Sequence, residues 1–127
     1  MEFIASDYLP LAIGPYSPAV KVNVMIYTSG QVPISLDGTM LERDIKVQTR
    51  QVLSNLRTLL EDAGSGLEKV VKVSLYLENI EDFGIVNVLF AESFGDHKPA
   101  RTTIAVKGLP KNSMIMVDVI ALAADSE

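Results

Sequence analysis

An α+β fold is predicted for this chain, with one mixed sheet of about six strands and two helices on one of its faces. Two observations predict it. Hydrophobic periods change along the chain in the order strands, helix, strand, helix and two strands, which is the signature of one layered α+β unit. The 127 residues contain no repeat, no low-complexity tract and no linker, so residues 1–127 are expected to form a single domain around one core.

The first third is short and turn-rich. Pro10, Gly14, Pro15, Pro18, Gly30, Pro33 and Gly38 break up the apolar runs, which suits strands at Ala19 to Val22 and Val24 to Ser29 joined as a hairpin or meander. From Asp44 the period becomes helical. Ile45, Val52, Leu56, Leu59, Leu60 and Ala63 form one stripe, Asp44 can cap its start, and Gly64 can end it. Lys69 to Leu77 (KVVKVSLYL) is β-rich. Asn79, with Asp82 three residues on, resembles a capping box that opens a second helix from Ile80 to about Phe94, closed by Gly95 and Pro99. Two strands follow, Arg101 to Val106 and Met114 to Ala123, joined by the turn-like GLPKNS.

Two helices cover only one face of such a sheet, yet the strands are apolar on both. In Lys69 to Leu77, Val71, Val73, Leu75 and Leu77 alternate with Val70, Lys72, Ser74 and Tyr76. With 48% hydrophobic residues and a mean hydropathy of +0.26, the uncovered face is expected to pack on another copy of the chain.

Composition removes several function classes. A formal charge of −5 and a pI near 4.8 repel phosphate backbones, so nucleic acid is not an expected partner. With no cysteine and one histidine, neither a thiolate nucleophile nor the usual zinc ligand sets can be assembled, and no metal or other cofactor is expected. The segment MEFIASDYLP lacks a basic n-region and an apolar h-region, and no apolar run approaches the roughly 18 residues of a membrane span. A cytoplasmic protein without membrane contact is the expectation.

Six strings in order also carry a resemblance: AIGPYSPAV (Ala12 to Val20), TSGQVPI (Thr28 to Ile34), LLEDAG (Leu59 to Gly64), VVKVSLYLENIEDFGIVN (Val70 to Asn87), PARTTIAV (Pro99 to Val106) and LPKNSMIMVDVIALA (Leu109 to Ala123). Together they resemble the Rid family, formerly called YjgF, nearly end to end. The resemblance implies a chorismate-mutase-like subunit and a homotrimer whose sheets form a central barrel, with clefts between neighbouring subunits. It also implies an activity, the hydrolysis of reactive enamines and imines such as 2-aminoacrylate and 2-iminobutanoate to 2-oxo acids and ammonia.

Candidate residues follow position by position. Arg101 matches the family arginine that binds the substrate carboxylate; its planar, permanently charged fork suits bidentate pairing. Tyr16 matches an aromatic residue lining the cleft, whose phenol can donate to a substrate oxygen or orient a water. Ser29 and Gly30 stand where the family strand passes close to the ligand, and a glycine there permits close backbone approach. Asn87 lies on the second helix where the family places an asparagine near the cleft. Thr103 stands where many relatives carry cysteine and shares a strand face with Arg101, two residues away. His97, in GDHKP, matches no family role and is expected to be a solvated loop residue.

One position departs from the family. Deaminating relatives carry a water-holding glutamate in the last strand where this chain has Met116, and a thioether is a poor proton acceptor. Asp118 is two residues on and faces the same side, though about 6.6 Å further along the strand. Two readings stand: a deaminase that relies on positioning its substrate, or a non-catalytic protein that binds a small carboxylate such as a 2-oxo acid, with Met116 an apolar wall.

Overall fold

The computed structural model describes residues 1–9, 12 and 14–123. Pro10, expected to punctuate the first third, and Ile13, within the Ala12 to Val20 string, lie outside the described residues. Strands β1 (Glu2–Ile4), β2 (Ala19–Val22), β3 (Met25–Thr28), β4 (Val70–Leu77), β5 (Ala100–Ala105) and β6 (Ile115–Leu122) form one sheet in the order β1-β2-β3-β6-β4-β5. Helices α1 (Ile45–Asp62) and α2 (Phe83–Phe94) complete the fold. The sheet is mixed: β4 and β5 run parallel, because α2 carries the chain back between them, and the other neighbours are antiparallel. Strand β1 was not among the strands expected from the sequence. Its three residues pair with Ala19–Val22 and carry a side-chain pattern too short to show a period.

Helix α1 starts where its capping residue predicts. The Asp44 carboxylate accepts from the Lys46 and Val47 N–H groups at 2.9 and 3.0 Å, and Gly64, at φ +81°, turns the chain out beyond Ala63. Its stripe is fully enclosed at Val52, Leu56, Leu59 and Leu60, while Ala63 is only partly covered. Opposite them stand Val73, Leu75 and Leu77 of β4, Ile115, Val117, Val119 and Ala121 of β6, and Val86, Leu89 and Phe90 of α2. Each large side chain among these contributes about 1.5–3 kcal/mol by leaving water.

Two polar residues of α1 are as buried as the leucines. Gln48 donates to the Leu41 and Glu42 carbonyls and accepts from the Met114 N–H at 2.8 Å, so it stitches the entry of α1 to the start of β6. Asn55 donates to the carbonyls of Val32 and Ile34 at 3.2 and 3.0 Å and accepts from the Gln51 amide. Buried backbone acceptors need such partners, so these residues fix the 31–34 and 112–114 segments on the helix layer.

The structure corrects two local expectations. Residues 80–94 are not one continuous α-helix: Ile80–Asp82 form a 3₁₀ turn, and α-helical geometry begins at Phe83. Asn79 caps that turn, its Oδ1 accepting from the Glu81 N–H at 3.0 Å, while the Asp82 N–H reaches the Asn79 carbonyl three residues back. The alternation in β4 is also broken. A register shift between Val70 and Lys72 leaves Val71 outside the ladder and 43% exposed, and it turns Val70 into the core beside Val73.

From Lys72 on, the two faces separate. Residues buried against the helices alternate with Ser74 and Tyr76 on β4 and with Met116, Asp118, Ile120 and Leu122 on β6. Tyr27 and Ile104 extend this uncovered face, both nearly half exposed. No helix among the described residues is long and apolar enough to cross a membrane.

Candidate functional site

The predicted site residues fall into two groups. The first is built where α2 returns the chain to the sheet edge. Gly95, at φ +60°, ends the helix, Pro99 precedes β5, and Arg101 falls into parallel register with Val73, which turns its side chain toward α2. There the Arg101 Nη2 donates to Asn87 Oδ1 at 2.5 Å, and the guanidinium lies over the rings of Phe83 and Phe90, 5.3 and 5.8 Å from their centroids. Rings beneath the cation and an amide at one nitrogen hold the fork half-buried with donors to spare, since a guanidinium carries five N–H groups. A cavity of about 240 Å³ opens beside it, bordered also by Phe90, Phe94 and His97.

His97 is not the solvated loop residue expected. Its Nε2 lies 2.6 Å from the Val70 carbonyl oxygen, which can only accept, so this nitrogen donates; its ring tilts against Phe94 at 6.2 Å. The histidine thereby pins the GDHKP connection to the first residue of β4 and shapes one wall of the Arg101 cavity. Thr103 shares the Arg101 face, in register with Leu75, but lines neither this cavity nor the next.

The second group lies where β3 runs out against β6. A cavity of about 500 Å³ is lined by Tyr16, Thr28, Ser29, Gly30, Val32, Pro110, Met116 and Asp118. Gln31 and Val117 exchange two backbone hydrogen bonds, 2.8 and 3.1 Å, which bring Gly30 onto Met116. A Cβ built on Gly30 would stand 2.6 Å from the Met116 sulfur and 2.9 Å from its Cγ, so the glycine leaves space that the methionine fills. The Ser29 hydroxyl donates to the Ser17 carbonyl at 2.6 Å and fastens this segment to the loop carrying Tyr16, whose ring is half exposed at the rim. Below, Pro110 belongs to a 3₁₀ turn, Pro110–Asn112, in which Lys111 and Asn112 both take positive φ; Arg43 braces it by donating to the Asn112 carbonyl while pairing with Glu78.

Asp118 is the carboxylate of this lining. It stands opposite Ser74 in the antiparallel register, next to Tyr76, which faces Met116. Burial pushes its carboxyl above the ordinary range, while hydrogen bonds from Tyr76 and Ser74 and the charge of Lys72 pull in the other direction. The Tyr76 phenol is raised as well, by burial first and then by the Asp118 charge.

One chain therefore brings Arg101 to Asn87, and Tyr16, Ser29 and Gly30 to Met116, but it does not bring the two groups together. Met116 and Asp118 point away from the helices, Arg101 points toward them, and β4 runs between β6 and β5. Sequence reasoning missed the rings of Phe83 and Phe90 under Arg101, the His97 tether, and Tyr76 with Lys72 beside Asp118. The signal for the last lies in the strand register, which no local pattern contains. Among the described residues no group of three or more histidine or acidic side chains is placed to hold a metal ion.

Comparison with known proteins matches residues 8–123 to the family model described as Endoribonuclease L-PSP. A RutC family protein of Pyrococcus abyssi is 43% identical over 121 residues, covering 94% of this chain and 95% of that protein. Among solved structures, a member of the conserved Rid protein family from Yersinia pestis superposes with a TM-score of 0.93 at 41% identity, over 96% of this chain and 98% of that one. TdcF of E. coli, crystallised with bound serine, superposes with a TM-score of 0.91 at 28% identity, again over 96% and 98%.

Proposed function

The chain belongs to the Rid/YjgF family, and from that premise we propose that it hydrolyses reactive enamines and imines of the 2-aminoacrylate and 2-iminobutanoate type, giving 2-oxo acids and ammonia. The observation that carries the reading is the Arg101 guanidinium, oriented by Asn87 and two aromatic rings at the edge of a cavity. A fork held in this way can take a small carboxylate bidentately without first being ordered, and it leaves the imine carbon of the bound molecule in one place. Water then adds to that carbon, forming a C–O bond as the C=N electrons move to nitrogen. The nitrogen takes up protons, the C–N bond breaks, and ammonia leaves as the 2-oxo acid forms.

The working cleft, in this reading, lies between neighbouring subunits of a homotrimer. One subunit supplies Arg101, Asn87 and Thr103; the next supplies Tyr16, Ser29, Gly30 and the Met116 position. Two features support it: the two groups point to opposite faces of the sheet in one chain, and the uncovered face carries Phe3, Tyr27, Ile104 and Leu122 exposed. Such apolar area is normally covered by another molecule. The imine is unstable in water and is best consumed where amino-acid dehydratases release it, which suits a cytoplasmic location. A net charge of −5 weighs against the RNA cleavage that the family model's description names.

Met116 favours a second reading. Without an acid at that position the cleft can act as a binder of small carboxylates, consistent with the bound serine in the TdcF crystal structure. A coupled assay separates the two: 2-aminoacrylate or 2-iminobutanoate is generated by a dehydratase or amino-acid oxidase, and its decay is followed with wild type, Arg101→Ala and Met116→Glu. Accelerated decay with wild type that is lost in Arg101→Ala supports the hydrolase. No acceleration by wild type, with activity appearing in Met116→Glu, leaves the binder.

A further inference from the structure

We propose that Asp118 takes the proton from the attacking water in this chain, a role that rests on the hydrolase reading above. Met116 offers that cavity no proton acceptor, and the other oxygen-bearing side chains of its lining are occupied or unsuitable. Thr28 Oγ1 accepts the Val119 N–H at 2.9 Å, the Ser29 hydroxyl donates to the Ser17 carbonyl, and the Tyr16 phenol is a weak base at the rim. Asp118 is the one carboxylate among them. Alternation along β6 points it to the same side as Met116, about 6.6 Å away, a gap that one water hydrogen-bonded to the carboxylate and resting on the thioether can span. A cavity of about 500 Å³ has room for that water and a small 2-imino acid together.

The surroundings of Asp118 suit the task. From β4, Ser74 stands opposite Asp118 with Tyr76 beside it, two hydroxyls that lower its proton affinity, and Lys72, whose Nζ donates to Thr102 Oγ1 at 2.7 Å, adds positive charge; Tyr16 stands across the cavity. Burial outweighs these neighbours and holds its proton affinity above the ordinary carboxylate range, which favours its acting as a base. As water oxygen bonds to the imine carbon, one water proton passes to Asp118. Asp118 returns it to the nitrogen, then carries the remaining hydroxyl proton to the same nitrogen as the C=O bond forms and the C–N bond breaks, so ammonia leaves and the carboxylate is regenerated with each turnover.

The test uses the imine-decay assay on the full chain across pH, with wild type, Asp118→Asn, Tyr76→Phe and the double variant Asp118→Asn with Met116→Glu. Wild type should lose rate as pH falls through the Asp118 titration. Asp118→Asn should lose about 10²- to 10⁴-fold of the chemical step, together with that acid limb. Restoring a carboxylate one pleat away, at Met116→Glu, should recover at least tenfold of the loss. Tyr76→Phe removes a donor that favours the ionised form, so its acid limb should move to higher pH, which a purely structural Asp118 would not produce.

Folding is checked by thermal unfolding. A carboxyl raised in the folded state makes wild type lose stability as pH climbs from the ordinary carboxylate range through the raised value, so Asp118→Asn should be at least as stable near pH 7. If wild type does not accelerate decay, the hydrolase reading fails and this assignment goes with it. If wild type is active and either Asp118→Asn keeps its rate and pH profile or Tyr76→Phe leaves the acid limb in place, the Asp118 assignment alone is overturned.

Discussion

Substituting Gly30 by alanine tests the contact at the centre of the second cavity. Gly30 is not in left-handed backbone, so on conformational grounds alone an alanine would stabilise the chain by about 0.4–1 kcal/mol through the unfolded state. In the folded chain the new Cβ meets the Met116 sulfur at 2.6 Å and its Cγ at 2.9 Å, both too close to persist. Met116, a flexible side chain beside an open cavity, must leave its rotamer, at a cost of about 0.5–1.5 kcal/mol. The net expectation for Gly30→Ala is a change within about 1 kcal/mol of zero, the rotamer cost offsetting the gain through the unfolded state. In a Met116→Ala background the obstructing atoms are gone and only the favourable term remains, so the same substitution should become neutral or stabilising by up to about 1 kcal/mol. A double-mutant cycle by urea unfolding, at one fixed protein concentration, measures the coupling; its expected size is about 0.5–1.5 kcal/mol. An additive cycle would mean that Met116 does not occupy the glycine's space.

Two further substitutions test the scaffolding around the cavities. Asn55→Ala strips the Val32 and Ile34 carbonyls of a buried donor and should cost about 2–4 kcal/mol in chemical denaturation; a loss below about 0.5 kcal/mol would show that these carbonyls find other partners. His97→Ala frees the Val70 carbonyl and the 95–99 connection, with an expected loss of about 1–2 kcal/mol and faster amide exchange across residues 95–99; unchanged exchange there would show that the histidine does not hold the loop.

Which side chains occupy one element was legible in the sequence. The helical stripe of α1, its Asp44 cap and its Gly64 exit are local facts of period and backbone preference, and the structure agrees with them to within a residue. Alternation likewise placed Arg101 with Thr103, and Met116 with Asp118. The six ordered strings carried the family, and the apolar second face followed from counting two helices against one sheet.

What one element does to another was decided only by the tertiary structure. Nothing near Gln48 or Asn55 in the chain marks them as buried, because the carbonyls that hold them lie on other segments of the fold. The shift at Val70 and Lys72 depends on the strand opposite, so the period of 2 that put Val71 on one face with Val73, Leu75 and Leu77 had no means of registering it. His97 looks solvated until Val70, 27 residues earlier, is brought beneath it. The separation of Arg101 from Met116 and Asp118 is the clearest case. Each pair is set by local alternation, but the face on which each pair lies depends on strand order and register, and these are fixed by long-range pairing energies that no short window of sequence contains.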